Sequence, residues 1–366
     1  MTVHFDSGPS AAQGSARELR IGLRADASPG VGGGHVMRCL ALSEELRRRG
    51  AEVFLLGRAA GPAWLRTQLD DQGLPVLPGP DDPEELVAVA REMSLDAVVL
   101  DSHTLDPECS GALRAAGIVV AALVDGNARA QEADLYVDQS PGGHDIGTGL
   151  PEGALRLGGY RHALIRGAVL AAGRRPDRPV VDSSAPAHVL CFFGATDPYG
   201  GAPVAVRALL ATGAPLRLTV VAADPELARA IEALPPGPAQ RVQVIEPVGQ
   251  LPELARAADL VVTAAGSSVL DLLCMGCAVA VVTVTASQQP VYEAVVGDGL
   301  VAGLGSVEGL RAGGAALDDG VARLRRLLTR PAERAGLARR GSAAVDGQGC
   351  SRVARTLVDL IGGRRR

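Results

Sequence analysis

The stretch Ser28-Pro29-Gly30-Val31-Gly32-Gly33-Gly34-His35-Val36-Met37-Arg38-Cys39 decides how the rest of this chain is organised. It follows an apolar run, Leu19 to Leu23, which predicts a β-strand, and it precedes residues with the apolar spacing of one buried helix face. A glycine-rich turn between a strand and a helix is typical of phosphate-binding sites, because the backbone can approach the ligand and the first N–H groups of the helix are unpaired. His35 stands at the predicted start of that helix.

Two common nucleotide-binding motifs fit this turn poorly. The dinucleotide fingerprint G-x-G-x-x-G, read from Gly30, has His35 in place of its third glycine, which disfavours a dehydrogenase. A P-loop requires a lysine, and the sequence contains none. The same lack of lysine rules out a Schiff base and with it pyridoxal chemistry. The alternative that Gly30 to Gly34 forms only a tight turn stays open.

Length and composition indicate two α/β domains. With 366 residues, the chain has room for two domains that each bury a core. Its apolar fraction is 47%, mostly alanine, valine and leucine, with only 2% aromatic residues, which suits buried parallel strands. The net charge is −5 and the arginines are spread along the chain, so we expect no nucleic-acid partner.

The sequence also predicts where the protein is located and the redox state of its cysteines. We find no run of about 18 apolar residues and no signal-peptide layout in Met1 to Ala16, so we expect a cytoplasmic protein without a membrane span. The six cysteines are then expected to be reduced. Cys274 and Cys277 have C-x-x-C spacing but no second pair, and we interpret them as packing residues rather than zinc ligands. We expect no cofactor and no metal.

Strand and helix patterns alternate on both sides of one linker. Residues 1–17 are predicted to be a disordered lead, and residues 18–173 an N-terminal Rossmann-like domain that carries His35. Residues 174–187 have the arginine, proline and serine content of a linker. Residues 188–366 are predicted to be a C-terminal, nucleotide-binding Rossmann-like domain that ends in helices. We therefore predict two parallel-sheet domains that face a cleft.

In the first domain, polar residues directly follow the predicted strands. Asp101 and His103 lie after one strand, at the edge of the sheet where open α/β sheets bind ligands. Ser102 and Asp106 are better explained as caps of the next helix, because their side-chain oxygens can accept from backbone N–H groups. Histidine is not a capping residue, so His103 stays a functional candidate. Asp125 follows the next strand and can line the same cleft.

The second domain has its own candidate anion site. A predicted strand, Leu260 to Thr263, leads through two alanines into Gly266-Ser267-Ser268 at the start of a helix, where backbone N–H and hydroxyl groups can bind a diphosphate. The alternative that one serine only caps the helix stays open. Asp271, one turn into that helix, can accept hydrogen bonds from a ribose. Gly194-Ala195-Thr196-Asp197 is a further turn rich in donors.

Taken in order, these motifs resemble one family. Arg24-Ala25-Asp26-Ala27-Ser28 and Gly32-x-Gly34-His35-Val36-x-Arg38-Cys39-Leu40 are similar to the opening of the UDP-sugar hydrolases of the pseudaminic acid pathway and their spore-coat polysaccharide relatives. The likeness continues through Val99-Leu100-Asp101-Ser102, Asp134-Leu135-Tyr136-Val137-Asp138-Gln139, Phe192-Phe193-Gly194, Ala258-Asp259-Leu260 and Gly266-Ser267-Ser268, and it covers about Leu19 to Gly305. The resemblance implies a two-domain GT-B-like fold. It also implies metal-independent hydrolysis of a UDP-linked 2,4-diacetamido-2,4,6-trideoxy sugar at its anomeric carbon, with release of UDP.

The resemblance and the motifs together assign roles to residues. His35 is implied as the catalytic base that takes a proton from water. The predicted substrate-binding residues are Arg24, Asp26, Gly32, Gly33, Gly34, Arg38, Asp101, His103, Ser287 and Gln288. The predicted nucleotide-binding residues are Gly194, Thr196, Asp197, Val248, Gly266, Ser267, Ser268 and Asp271.

The chain departs from the family pattern at sugar-contacting positions. His103 stands where the family usually has tyrosine, and Ser287-Gln288 where it usually has Asn-Gln. Asp125-Gly126 replaces a pair of aspartates, and Asp271 replaces a glutamate. We therefore expect nucleotide recognition to be retained and sugar recognition to be altered.

Three functions stay open at this stage. The first is hydrolysis of a UDP-sugar with His35 as base. The second is a GT-B glycosyltransferase, in which His35 deprotonates an acceptor hydroxyl and His103 helps to bind the acceptor. The third is a catalytically silent protein that binds a nucleotide sugar. Both UDP and dTDP stay open as the nucleotide.

Overall fold

The structure of the chain is a computed structural model. It describes residues 17–27, 33–58, 63–140, 150–175, 185–194, 196–247 and 249–365, with the backbone alone at 63 and 64. Most of the predicted lead and of the predicted linker, as well as Gly32 and Val248, lie outside these ranges.

The first half of the chain builds a parallel sheet. Its strands are β1 (Leu19–Ala25), β2 (Ala51–Leu56), β3 (Val76–Leu77), β4 (Ala97–Asp101), β5 (Val119–Leu123), β6 (Leu135–Asp138) and β7 (Leu155–Gly158). They are hydrogen-bonded in the order β3-β2-β1-β4-β5-β6-β7. Every residue of β4 and β5 is buried, as expected for strands that helices cover on both faces.

Helices connect and cover these strands. They are α1 (Gly34–Arg48), α2 (Ala63–Asp71), α3 (Pro83–Glu92), α4 (Glu108–Ala115) and α5 (Gly167–Ala172), with a 3₁₀ turn at Tyr160–His162. α1 buries Val36, Leu42 and Leu46 against the sheet, and Arg47 and Arg48 lie in its last turn, where positive charge is favourable. The strand and the helix predicted on either side of the glycine-rich stretch are therefore present, whereas residues 28–32 of that stretch lie outside the described ranges.

The second half builds another parallel sheet. Its strands are β8 (Ala187–Phe192), β9 (Leu216–Val221), β10 (Gln240–Ile245), β11 (Leu260–Ala264), β12 (Val279–Thr283) and β13 (Ala302–Ser306), in the order β10-β9-β8-β11-β12-β13. Its helices are α6 (Gly201–Ala211), α7 (Pro225–Glu232), α8 (Leu251–Ala257), α9 (Ser268–Cys274), α10 (Gln289–Gly297), α11 (Val307–Ala312), α12 (Gly314–Thr329), α13 (Pro331–Ala344) and α14 (Gly349–Arg364). A second 3₁₀ turn covers Ala286–Gln288.

Each sheet has one point at which the strand order reverses. In the first sheet this point lies between β1 and β4, and in the second between β8 and β11. Open α/β sheets bind ligands in the crevice outside the carboxyl ends of such strands, because the connections leave in opposite directions there. Residues that follow β1, β4, β8 and β11 are therefore placed where a ligand would bind.

Two helices pack on the sheet of the other half of the chain: α5, from the first half, packs on the second sheet, and α14, from the second half, packs on the first. Val169 of α5 lies in a hydrophobic cluster with residues of the second sheet, such as Val261. Val353 and Leu357 of α14 are fully buried in the core of the first sheet. The prediction placed 349–366 with the second domain, but the described part of that segment packs on the first, since its apolar face fits against α1.

Most predicted elements are present, with ends that shift by one to three residues. The strand predicted at Leu19 to Leu23 continues to Ala25, and the strand predicted at Leu260 to Thr263 continues to Ala264. The short strands β3 and β7 and the strand β13 were not predicted. β3 has only two residues, which are too few to show the alternation of apolar and polar side chains that predicts a strand. Among the described residues, no helix is both long and apolar enough to cross a membrane.

Candidate active site

His35 lies at the reversal point of the first sheet, in the first turn of α1. Its Nδ1 is 2.6 Å from Oδ1 of Asp101, the last residue of β4. A carboxylate can only accept, so Nδ1 carries the hydrogen and Nε2 is left with a free lone pair. Asp101 is fully buried, whereas 13% of the His35 side chain is exposed. This geometry fixes the orientation of the ring and leaves Nε2 available as a base.

Arg38 joins this pair to a second carboxylate. Its Nε donates to Oδ2 of Asp101 at 2.5 Å and its Nη2 to Oδ1 at 2.6 Å. Its Nη1 donates to Oδ1 of Asp125 at 2.7 Å. Two-pronged contacts of this kind are strong and directional. Arg38 was predicted to bind substrate, but its guanidinium is taken up by two protein carboxylates and holds the cluster together.

The charges of this cluster compensate one another. Burial raises the pKa of Asp101, but the positive charge and hydrogen bonds of Arg38 lower it more, and the net pKa is below the usual value. The pKa of Asp125 is lowered in the same way. Burial lowers the pKa of Arg38, but the two aspartates outweigh it, and the net pKa is raised well above the usual value. Both carboxylates are thus ionised at neutral pH.

His103 forms a second histidine–aspartate pair next to the first. Its Nε2 lies 2.9 Å from Oδ2 of Asp125. The rings of His35 and His103 meet edge to face, with centroids 4.6 Å apart and an interplanar angle of 75°. About half of the His103 side chain is exposed. The structure thus brings together the predicted residues His35, Arg38, Asp101 and His103.

Asp125 belongs to this cluster but is absent from the predicted substrate-binding residues. It follows β5, and from the sequence it was expected only to line the cleft. Its position at the end of a strand adjacent to β4 was the available signal. Of the two residues expected to cap the next helix, Asp106 accepts from the N–H of Glu108, the first residue of α4, at 2.9 Å. Ser102 lies too far before α4 to cap it, and its hydroxyl accepts instead from Leu105 N–H in the preceding turn at 3.0 Å.

Arg24 and Asp26, predicted to bind substrate, form a separate ion-pair group. The side chain of Arg24 is fully buried. It donates to Asp26 at 2.7 Å, to Asp81 at 2.5 Å and to the carbonyl of Pro80 at 3.2 Å. Asp26 also accepts from the backbone N–H of Arg58 at 2.8 Å. These protein partners occupy the guanidinium, so its contacts support the loops after β1 and β3.

The turn Gly266-Ser267-Ser268 follows β11 at the reversal point of the second sheet. Ser267 occupies the N-cap position of α9, but its side chain makes no capping hydrogen bond, so the expected serine cap is not formed there. Gln288 lies beside this turn, because a Cβ built on Gly266 would be 3.8 Å from its Nε2. Its Oε1 accepts from Val284 N–H at 3.0 Å. Ser287 is exposed and its hydroxyl pairs with that of Thr285 at 2.9 Å.

Asp271 forms an ion pair with Arg166. Its Oδ2 accepts from Nη2 of Arg166 at 2.6 Å and from Nε at 3.1 Å. Burial raises the pKa of Asp271, although Arg166 works in the opposite direction. Arg166 precedes α5, so this pair ties α5 to α9, and the structure leaves one oxygen of Asp271 for other contacts.

The predicted nucleotide-binding residues in the turn after β8 differ in their exposure to solvent. Gly194 has φ of +71° and is exposed, as is Thr196. Asp197 is buried, and its carboxylate accepts from the N–H groups of Gly201 and Ala202, both at 2.8 Å. Asp197 therefore caps α6 instead of facing an anion, because a carboxylate satisfies the free N–H groups of a helix start.

Two predicted residues of the glycine loop are described. Gly33 is the residue before α1, and Gly34 is its first residue. A Cβ built on Gly34 would meet no atom within 4 Å, so the space above it is open. No group of three or more histidine, cysteine, aspartate or glutamate side chains in the described ranges is arranged to hold a metal ion.

Comparison with known proteins bears on the fold. No protein-family model matches the chain, and no curated protein matches it. Among solved structures, MurG of Acinetobacter baumannii is 16% identical, with a TM-score of 0.69 over 93% of this chain and 99% of that one. UDP-GlcNAc 2-epimerase of Neisseria meningitidis, bound to UDP-GlcNAc, is 12% identical, with a TM-score of 0.62 over 93% and 100%. The spinosyn rhamnosyltransferase SpnG is 16% identical, with a TM-score of 0.63 over 93% and 100%.

The chain has a GT-B-like fold. Its two parallel sheets and its similarity to these structures over nearly its whole length confirm the predicted fold class. At such identities the likeness extends to the fold alone, and the chemistry has to be argued from the residues of the site.

Proposed function

We propose that this protein is an enzyme that acts on a nucleoside-diphosphate sugar and breaks the bond between the anomeric carbon and the diphosphate. The observation that carries the proposal is the His35–Asp101 pair at the reversal point of the first sheet, with Nε2 of His35 free. A histidine oriented by a buried carboxylate is the usual arrangement of a general base.

In the proposed reaction, water attacks the anomeric carbon and transfers a proton to Nε2 of His35. A C–O bond forms at that carbon, and the C–O bond to the diphosphate breaks, so the nucleoside diphosphate leaves with the electron pair. Asp101 stabilises the positive charge that develops on the ring. Arg38 keeps Asp101 ionised and fixed in place, because it donates to both of its oxygens. The resemblance to UDP-sugar hydrolases favours water as the nucleophile and UDP as the leaving group.

The second sheet supports the nucleotide side of the proposal. The side chain of Ser267 makes no capping hydrogen bond, so its hydroxyl can donate to a phosphate oxygen. Arg166, whose side chain is 31% exposed, lies next to that turn through its pair with Asp271. One structural neighbour, the Neisseria epimerase, is named for UDP-GlcNAc and was solved with it, which favours a UDP-sugar as the first donor to test.

Transfer of the sugar to an acceptor hydroxyl is a second candidate. The observation that favours it is a cavity of about 610 Å³ bordered by His103, whose ring touches that of His35. In this case the acceptor oxygen replaces water, and its proton goes to the same Nε2.

The test is release of nucleotide from UDP-, dTDP-, GDP- and CDP-sugars, measured for the wild type, His35→Ala and the control Arg355→Ala. Arg355 is exposed on α14. We expect release from at least one donor, and a loss of about 10² to 10⁴-fold in kcat for His35→Ala, the usual contribution of a general base. Binding of UDP, measured by titration calorimetry, should survive that substitution.

Full activity of His35→Ala would contradict the proposed base. Binding of UDP without release from any donor, with or without an added hydroxyl compound, would instead support a silent nucleotide-sugar-binding protein.

A further inference from the structure

A groove runs along the start of α4, next to the histidine pair. Two adjoining cavities of about 610 and 620 Å³ form it and share Asp106 and Pro107. The part next to the histidines is lined by Asp81, His103, Thr104, Leu105, Asp106, Pro107, Arg129 and Gln131. His103 lines the groove and its ring contacts that of His35, so the groove ends one side chain away from the proposed base.

Gln131 is an unpartnered polar group in the wall of this groove. The residue is 4% exposed, and its Oε1 is buried without a hydrogen-bond partner among the described residues. Buried polar atoms are nearly always paired, so this acceptor is left for a donor that comes from a bound molecule or from water. The backbone on either side is well anchored, because the carbonyl of Gln131 accepts from the hydroxyl of Tyr136 at 2.6 Å.

The backbone next to Gln131 is held in an unusual conformation. Arg129 and Ala130 have φ of +49° and +58°, in the left-handed region that side chains other than glycine rarely adopt. Two hydrogen bonds of Arg129 hold the segment: its Nη2 donates to the carbonyl of Ser102 at 2.5 Å, and its N–H to Oδ1 of Asn127 at 2.7 Å. Such strain persists only where the surroundings enforce it, and here it places Arg129 and Gln131 on the groove.

The groove offers donors and acceptors side by side. Arg129 has further N–H donors besides the one bonded to Ser102. Gln131 Oε1 accepts, and one oxygen of Asp106 is left after the other caps α4. A hydroxyl group both donates and accepts, so an array of this kind matches a hydroxyl-rich molecule. Apart from His103, no residue that lines the described groove is aromatic, so a flat aromatic ring would find no stacking partner there.

We propose that this groove binds a hydroxyl-rich, carbohydrate-like co-substrate. The proposal rests on the proposed action on a nucleotide sugar and deepens its transfer form. One hydroxyl of the co-substrate passes His103 and reaches His35, where Nε2 takes its proton. The hydroxyl oxygen forms the new bond to the anomeric carbon, and the nucleoside diphosphate leaves with the electrons of the old bond.

The test combines binding and turnover. Saturation-transfer NMR on the full chain uses glucose, N-acetylglucosamine and maltose as carbohydrate probes and 4-nitrophenol as the aromatic probe. The variants are Gln131→Met, which removes the amide at similar size, and Asp106→Asn, which keeps the cap of α4 but removes the charge. Gln243→Met, at an exposed position of β10, is the matched control.

We expect signals from at least one carbohydrate with the wild type and with Gln243→Met, and an at least tenfold weaker affinity with Gln131→Met. In turnover, the same carbohydrate should accelerate nucleotide release, and its KM should rise at least tenfold in both groove variants. The proposal is overturned if no carbohydrate binds, if 4-nitrophenol alone binds, or if carbohydrate binding is the same in both groove variants as in the wild type.

The binding measurement needs no nucleotide sugar, which separates this proposal from the preceding one. If no donor is cleaved but carbohydrate binding depends on Gln131, the proposed function fails and the groove assignment holds. If a donor is cleaved through His35 and no carbohydrate binds, the groove assignment fails and hydrolysis holds.

Discussion

Arg38 is the residue on which both histidine–aspartate pairs depend. Its guanidinium contacts Asp101 and Asp125 at once, with only 12% of its side chain exposed. A planar fork can serve two carboxylates in fixed directions, whereas an ammonium group is a single point of charge. The geometry of His35 and of His103 therefore follows from one side chain that belongs to neither pair.

Arg38→Lys should lower kcat by about ten- to a hundredfold, because positioning of the base is lost while a positive charge remains. It should also move acid unfolding to higher pH. A carboxylate whose pKa is lowered by folding contributes stability above its unfolded pKa of about 3.9, and this contribution is lost as pH falls through the folded pKa. Because a lysine cannot make all the hydrogen bonds of Arg38, the pKa values of Asp101 and Asp125 are lowered less in the variant, and both carboxylates become protonated at higher pH.

Circular dichroism from pH 7 to 2 and steady-state kinetics measure these two effects. Arg355→Lys, on the exposed side of α14, should match the wild type in both. An acid midpoint for Arg38→Lys equal to that of the wild type would show that Arg38 does not hold the two carboxylates ionised.

The resemblance implies that Arg24 binds substrate, but in the structure its side chain contacts only protein groups among the described residues. Its charge is buried among Asp26, Asp81 and the Pro80 carbonyl. Arg24→Met should therefore reduce the free energy of unfolding by about 1 to 3 kcal/mol, the usual cost of removing one partner of a hydrogen bond, because Asp26 and Asp81 are partly exposed and regain water. Urea unfolding measures this change. Arg58→Met, at an exposed arginine 3.4 Å from Asp81, should cost less than about 1 kcal/mol.

A stable Arg24→Met variant with a large rise in the KM for the nucleotide sugar would restore the substrate-binding interpretation.

The sequence could identify some site residues and not others, for a physical reason. His35, Asp101 and His103 follow strands or a glycine turn, and the carboxyl ends of parallel strands meet at one edge whatever the details of packing. The roles of Arg38 and Arg24 depend on partners that lie 63 and 57 positions away in sequence. No local pattern encodes which of two carboxylates an arginine reaches, so these roles required the structure.

At the scale of elements, the packing of α14 also depends on partners that are distant in sequence and could not be predicted from a local pattern. Helical periodicity predicts that a helix is present, but it does not say which sheet its apolar face covers. In the structure Val353 and Leu357 pack with residues of β1 and α1, more than 300 positions earlier in the chain. Arg364 and Arg365 extend this contact, since they pair with Asp134 and Asp96 at 2.6 and 2.5 Å.

Leu357→Ala should therefore destabilise the first sheet, although it lies at the end of the chain. Leu357 is fully buried, and truncation of a buried leucine costs about 2 to 5 kcal/mol. Arg355→Ala, two residues away and exposed, should cost less than about 0.5 kcal/mol. Urea unfolding of both variants measures the difference. Equal stability of the two would mean that α14 does not pack on the first sheet.

At the scale of the whole molecule, the alternation of strands and helices gave the fold class, because each buried parallel strand needs a covering helix. The coupling between the two halves was not predictable. It arises because α5 joins the core of the second sheet and α14 that of the first, so the chain crosses between the halves twice. Tyr160 adds a hydrogen bond across this region, with its hydroxyl 2.7 Å from Asp298.

The six cysteines can report whether this exchange makes the halves unfold together. All six are buried and unpaired. Cys39, Cys109 and Cys350 belong to clusters of the first sheet, and Cys191, Cys274 and Cys277 to clusters of the second. Burial raises the pKa of each thiol, for example to about 11 at Cys109 and about 12 at Cys350. Each thiol is therefore unreactive until its core opens.

We expect a single labelling phase in moderate urea at pH 8. Each half contains a helix from the other half, so opening one core removes a helix from the second and exposes its thiols too. Mass spectrometry after exposure to iodoacetamide should then show molecules with no label and molecules with six, and few between. An early population with three labels would contradict this coupling. Leu357→Ala should speed the appearance of all six labels, because the loss of packing at α14 lowers the barrier to opening both cores.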